Sequence, residues 1–282
     1  MTASSPTAAG LAFVKMNGLG NDFAVVRAPL DWSPTPEQVR AWGDRQAGVG
    51  FDQLVVLSDS AGGPWVRFWN QDGGEVSACG NGSRAVAWLM MEAARVEAAR
   101  FQTRAGPLAA VRAGDHRVTV DMGPPRLRWD EIPLAEEMDT RGIELQVGPI
   151  DAPLVHTPGA VSMGNPHVVF FTDRQDDAFV RGTGSLIEHH PLFPEGVNVG
   201  LANVLAPDRI RLRVWERGAG LTKACGTGAC AALVAAHRRG LTGRAATLEL
   251  DGGELQIVWD AATDHVHMTG AVAVEGTGVL PG

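Results

Sequence analysis

The sequence has no apolar run approaching the ~20 residues that a membrane-spanning helix needs, so no membrane association is expected. It also lacks a basic excess. Lysine and arginine total 24 against 32 aspartates and glutamates, a formal net charge of -8, and no basic stripe stands out, which disfavours a nucleic-acid partner. Cysteine is scarce: the three in 282 residues form neither an even set nor a framework spacing, which suits free thiols in a reducing compartment. Lysine is scarcer still, with only Lys15 and Lys223, and tyrosine is absent for no reason that the sequence supplies. Met1–Gly10 is small and polar, with neither a basic n-region nor an apolar h-region. It reads as a disordered N-terminal extension rather than a signal peptide, and the protein as cytoplasmic.

What is present is a globular composition, 45% hydrophobic and 20% charged, in a chain long enough for one large domain or two of ordinary size. One phrase occurs twice: Ala78-Cys79-Gly80-Asn81-Gly82 and Ala224-Cys225-Gly226-Thr227-Gly228, 146 residues apart. Each is a cysteine, a glycine-broken turn and then an alanine-rich run that reads as a buried helix. Other blocks repeat in the same order. Arg67-Phe68-Trp69 matches Arg213-Val214-Trp215 and Gly50 matches Gly196 at 146, while Gly20-Asn21 matches Gly164-Asn165 at 144. Four blocks in the same order, three at an offset of 146 and one at 144, indicate an internal duplication.

The expected fold is therefore α/β (α+β): two pseudo-symmetric domains, each a mostly antiparallel sheet wrapped around a buried central helix. Around the Asn17–Asp22 turn, Leu11–Lys15 and Phe23–Val26 read as a hairpin. Ser33-Pro34-Thr35-Pro36-Glu37 starts a helix expected to run to about Gln46. In the second half, Val155–Met163 and Val168–Phe171 are expected strands around Gly164–His167, with a helix over Asp176–His189 and an apolar run near Val204. Proline and charge thicken over Pro124–Glu137. The domains are accordingly placed at 11–126, completed by 271–282, and at 127–270.

A cysteine at a helix start lies at the positive end of the helix dipole, so both thiols are expected to have lowered pKa values and to serve as bases near neutral pH. The unpaired first-turn N–H groups beside each cysteine can hold a carboxylate. Two such starts acting together suit proton removal from a carbon next to a carboxylate, with one sulfur taking the proton from one face and the other returning one on the opposite face. Neither lysine lies in a phosphate-cradling context, so a lysine-bound pyridoxal phosphate is not expected. Cys79, Cys225, His167 and Glu216 are conceivable metal ligands, but no close-spaced Cys/His pair supports a metal site. Cys230 falls inside the second helix, opposite Arg84 in the repeat, and reads as a small buried residue.

Several segments together resemble the diaminopimelate epimerase family. They are Lys15–Phe23, Gly50-Phe51-Asp52-Gln53, Ala78–Gly82, Gly164-Asn165-Pro166-His167, Glu216-Arg217-Gly218-Ala219-Gly220 and Ala224–Cys230. The resemblance spans nearly the whole chain after residue 10. It implies an isomerase with no cofactor and no metal that interconverts LL- and meso-diaminopimelate in lysine and peptidoglycan precursor synthesis, and a homodimer.

By motif position it implies acid/base roles for Cys79 and Cys225, assisted by His167 and Glu216. It further implies substrate contacts at Asn21, Gln53, Asn70, Asn165, Asn198, Glu216 and Arg217, and a backbone cradle at Gly80, Asn81, Gly226 and Thr227. The residues alone would make each asparagine a turn former and His167 a packed histidine. Asn17 and Gln71 depart from the family pattern, which has histidine and alanine there.

Overall fold

The structure is a computed structural model that describes residues 10–77 and 79–281. Apart from Gly10, the extension expected over 1–10 lies outside the described residues. The chain forms two compact units, one running to Val120 and regained at Gly270–Gly282, the other Asp121–Thr269.

In the first unit, strands Ala12–Gly18 and Asn21–Arg27 form an antiparallel hairpin. Its turn places Leu19 at φ 54° and Gly20 at φ 76°, the left-handed pair that a two-residue hairpin loop requires. Leucine is strained there, and burial of its side chain holds it in place. Asn21–Arg27 pairs in parallel with Gln53–Ser58, which pairs antiparallel with Trp65–Asn70. Trp65–Asn70 also meets the short strand Glu75–Val76 and bridges in parallel to Ala98–Thr103. Ala98–Thr103 forms a hairpin with Gly106–Arg112. Ala273–Val279 returns to lie antiparallel to Ala12–Gly18, and Leu280 joins the core of Val26, Val39, Trp42, Leu54 and Trp69.

Each parallel pairing needs a crossover, and helices supply them. The first, α1 (Pro36–Gly43), starts on a Thr35/Gln38 capping box. It ends three residues before the expected Gln46. The Asp44 carboxylate takes the N–H groups of Gln46 and Ala47, and the N–H groups of Val49 and Gly50 donate to the Trp42 carbonyl, so Gln46 and Ala47 cannot continue the helical ladder. The second, α2 (Gly80–Ala94), packs on strands Ala12–Gly18, Asn21–Arg27, Gln53–Ser58, Ala98–Thr103 and Gly106–Arg112. Its first seven residues after Gly80 are buried, whereas Trp88, Leu89 and Met90 are only half-buried, so the helix is not apolar-enclosed along its whole length.

The second unit repeats these pairings. Gly159–Ser162 is antiparallel to Pro166–Phe171, which is parallel to Asn198–Ala206. Asn198–Ala206 is antiparallel to Arg209–Glu216, and that strand pairs with Gly220–Thr222 and, in parallel, with Ala245–Leu250. Gly253–Trp259 closes the last hairpin. Helix α3 (Asp177–Glu188) is capped by Asp176, and α4 (Gly226–Arg238) is buried from Gly228 to Ala236. Its alanines let the surrounding strands approach closely.

Register repeats as well as order: Phe68 pairs with Val76 as Val214 pairs with Thr222, and Leu54 with Trp69 as Val199 with Trp215. The expected strand Val155–Met163 is interrupted, because Thr157 takes φ 49° and Pro158 has no N–H to donate. The run expected near Val204 is buried only in its first half, from Asn198 to Ala202. Among the described residues no helix is long and apolar enough to cross a membrane.

Candidate active site

Each unit gathers its own set of the expected residues at one end of its sheet. In the first unit, Asn21 opens its strand, Gln53 opens the next and Asn70 ends the third. Gln53 Nε2 donates to Asn70 Oδ1 at 2.7 Å, while Gln53 Oε1 is buried and has no hydrogen-bond partner among the described residues. Asn81 Nδ2 donates to Asn21 Oδ1 at 2.8 Å.

Cys79 is the N-cap of α2 in extended backbone, and its sulfur accepts the Gly82 N–H at 3.4 Å. The Gly82 position is tight, since a Cβ there would lie 3.0 Å from the Phe68 ring. The outer flank is held by Arg45, which bonds Asp22 at 2.6 Å and Asp52 at 2.8 Å, the neighbours of Asn21 and Gln53. Burial works against the Asp22 charge, but the bonds from Arg45 and Asn17 overcome it and hold its pKa below the usual carboxylate range. The two departures from the family pattern thus have structural partners. Asn17 Nδ2 donates to Asp22 at 2.7 Å, and Gln71 Nε2 donates to the Gly43 carbonyl at the end of α1 at 2.8 Å.

In the second unit, His167, Asn198 and Glu216 occupy the equivalent strand ends. His167 is fully buried. Its Nε2 lies 3.0 Å from both Asn165 Oδ1 and Thr227 Oγ1. Burial, with a smaller contribution from Arg217, pushes its pKa down to about 3, so the ring is neutral near pH 7. Thr227 Oγ1 is 3.6 Å from Cys225 Sγ. The Cys225 thiol also bonds the Glu216 carboxylate, and Thr222 donates to the same carboxylate at 2.5 Å.

Thr222, Glu216, Cys225, Thr227, His167 and Asn165 therefore form one hydrogen-bonded chain. Cys225 is the N-cap of α4, yet its pKa is not lowered as expected from that position. Burial and the adjacent Glu216 raise it well above the ordinary thiol range. Burial likewise raises Glu216.

Asn198 has structural partners on both sides: Nδ2 donates to the Pro166 carbonyl at 2.8 Å and Oδ1 accepts the Arg217 N–H at 2.9 Å. The Arg217 side chain is exposed and its guanidinium bonds the Glu195 carbonyl at 2.5 Å.

One residue of the second unit escaped the sequence reading. Glu188, at the end of α3, accepts Trp215 Nε1–H and Gly218 N–H, both at 2.7 Å, and so anchors the loop carrying Glu216 and Arg217. Burial opposes its charge, and these two bonds outweigh it to keep the pKa low. Gly184 leaves room for the Trp215 ring on the same helix face. Only the helical spacing of Gly184 and Glu188 hinted at this, and it pointed to no partner.

A sequence profile of the family described as "Diaminopimelate epimerase" matches residues 13–128 and again residues 159–274. The chain belongs to the diaminopimelate epimerase family. The two matched stretches start and end 146 residues apart (159 against 13, 274 against 128), the offset of the repeated cysteine phrases. A diaminopimelate epimerase from a Caulobacter species is 60% identical over 280 residues, covering 95% of this chain and 97% of its own.

Solved structures with the same fold are far more distant in sequence. A hydroxyproline epimerase from Agrobacterium vitis aligns with a TM-score of 0.68 at 15% identity, covering 95% of this chain and 91% of its own. A phenazine biosynthesis PhzF-family protein from Enterococcus faecalis aligns at 0.64 and 15%, covering 95% and 98%. At that identity they establish the fold, two duplicated sheet-and-helix halves, and nothing about substrate.

Proposed function

We propose that the protein is an isomerase that interconverts LL- and meso-diaminopimelate through two thiols, Cys79 and Cys225, one from each unit. The observation that carries this reading is the cysteine N-cap on the central helix of both units, with unequal surroundings. Cys79 sulfur accepts a backbone N–H, which favours thiolate. Cys225 is buried against a carboxylate, which favours thiol. A two-base inversion needs that inequality, because one sulfur must start without a proton and the other with one.

In the forward step the Cys79 thiolate takes the α-proton. The C–H electron pair spreads into the substrate carboxylate, and the Cys225 S–H gives its proton to the opposite face of the same carbon. Cys79 ends as thiol and Cys225 as thiolate, and the reverse reaction runs from that state. Helical hydrogen bonds begin at Ser83 and Ala229, so earlier N–H groups at Gly80, Asn81, Gly226 and Thr227 are available to the developing carboxylate charge. His167 holds Thr227, and Glu216 holds the Cys225 proton. The orphan Gln53 Oε1 suits a substrate ammonium, and Asn21, Asn70, Asn165, Asn198 and Arg217 complete the polar contacts to the amino-acid groups.

Chemistry without pyridoxal phosphate is part of the proposal. It is supported by Lys15 donating to the Val49 carbonyl at 3.1 Å and by Lys223 being exposed, neither within the hydrogen-bonded sets above. The family resemblance supports a cytoplasmic location and a homodimer, and sedimentation equilibrium of the purified protein tests the second.

The deciding experiment is incubation of LL-diaminopimelate with the reduced protein in deuterium oxide, following meso product and α-deuteration. Wild type should yield both, and Cys79→Ala and Cys225→Ala should yield little meso product. No exchange by wild type would sink the reading.

A further inference from the structure

The first-unit set contains a buried cation that the reaction above does not use. Arg84 lies inside α2 with no solvent exposure, and its Nη2 donates to Asn81 Oδ1 at 2.9 Å. Asn81, itself 3% exposed, donates from Nδ2 to Asn21 Oδ1 at 2.8 Å. Asn21 is half-buried and ends the series.

A side-chain amide has nearly the same shape either way round, so its partners decide which end is oxygen. A guanidinium has five N–H donors and no acceptor. Contact with Arg84 therefore forces the Asn81 oxygen inward and its NH2 outward. That NH2 in turn forces the Asn21 oxygen toward it and leaves the Asn21 NH2 facing away. The polarity of both amides is set by one donor-only residue at the buried end. The hydrogen bond of the Gln53–Asn70 pair joins two amides, so neither partner there is donor-only. In the second unit Cys230 stands at the position of Arg84, Thr227 at that of Asn81, and the link to Asn165 runs through the His167 ring.

We propose that Arg84 is a positioning residue that orients the Asn81 and Asn21 amides so that Asn21 offers N–H donors to a substrate carboxylate. This rests on the reading of Asn21 as a substrate contact. Removing the cation lets Asn81 reverse, after which Asn21 can turn its oxygen toward the carboxylate and repel it.

The test is a double-mutant cycle on steady-state epimerisation of LL-diaminopimelate, with Asn21→Ala, Arg84→Met, Arg84→Lys and the Asn21→Ala/Arg84→Met pair. Loss of a hydrogen bond to a charged group predicts a fall in kcat/KM of roughly tenfold to a hundredfold for Asn21→Ala. Arg84→Met should fall as far, the double variant no further, and Arg84→Lys, still donor-only, should recover most of the loss. If Arg84→Met does not fold, Asn81→Asp replaces it, since aspartate still accepts from Arg84 but has no N–H for Asn21. It too should fall as Asn21→Ala does, with no further loss in combination. Additive losses, or no rescue by Arg84→Lys, overturn the proposal and leave Asn21 as a substrate contact. Unchanged kcat/KM in Asn21→Ala overturns that contact and the proposal together.

Discussion

At the scale of single residues, Cys225 is a contest between a helix terminus and burial. A helix start stabilises a nearby anion by about 0.3–1 kcal/mol, whereas moving an ion out of water costs several kcal/mol. With the Glu216 carboxylate alongside, the thiol keeps its proton. Glu216→Gln removes the like charge, so the pH midpoint for alkylation of Cys225 by iodoacetamide, followed by peptide mass spectrometry, should move down. A midpoint that stays or rises counts against this account.

His167 makes a second prediction, for stability. Its pKa is about 3 in the fold against 6.5 for the ordinary group, so the unfolded chain takes up a proton that the folded chain refuses. Stability present above pH 6.5 is therefore lost as pH falls toward about 3, at up to about 1.4 kcal/mol per pH unit. Denaturant unfolding between about pH 6.5 and 5 should show wild type losing about 2 kcal/mol more than His167→Gln. Equal losses would assign the pH dependence to other groups.

At the scale of elements, the glycine that follows each Cys-Gly-x pair is required by packing of a helix on a strand. A Cβ at Gly82 would meet Phe68 at 3.0 Å, and one at Gly228 would meet Val214 at 3.1 Å and Cys225 Sγ at 3.2 Å. Alanine gains about 1 kcal/mol over glycine within a helix, but overpacking costs about 1–3. Gly82→Ala and Gly228→Ala should therefore both lower thermal stability. Gly228→Ala should lose more activity than its stability change explains, because its methyl pushes on the thiol.

The join between α3 and the Glu216–Gly220 loop is similarly specific. Glu188→Ala leaves Trp215 Nε1 and Gly218 N–H without their acceptor, at about 1–3 kcal/mol each. Urea unfolding should register that loss and KM should rise, while Glu188→Gln, which keeps one acceptor, should lie between. A KM indistinguishable from wild type would separate the anchor from the site.

At the scale of the whole molecule, the duplication explains why each unit has one N-cap cysteine, one central helix behind it and one set of polar strand ends. The chain closes its first unit with its last strand, Ala273–Val279, on Ala12–Gly18. Deleting residues 270–282 should expose that edge and strip Leu280 from the first core. Hydrogen exchange should then show lost protection in Ala12–Gly18 and retained protection in Ala245–Leu250. Equal loss in both would mean that the units do not respond separately.

The sequence by itself carried the duplication, the two helices behind the cysteines and the polar residue types that gather at the strand ends. Those are recorded in spacing and turn chemistry, which are local and repeat with the chain. The expectation of a lowered Cys225 pKa failed, because it counted the helix that begins at that residue and not the carboxylate and strands folded over it. Nothing in the sequence set Glu188 apart within the expected helix Asp176–His189, or Arg84 apart within the helix behind Cys79. A carboxylate becomes an anchor only when Trp215 and Gly218 reach it, and an arginine orients amides only when burial leaves Asn81 as an acceptor at its tip. Periodicity decides which residues form an element, but desolvation and hydrogen-bond polarity depend on residues 27 to 63 positions away, such as Glu188 to Trp215 and Asn21 to Arg84, and only the tertiary structure brings those together.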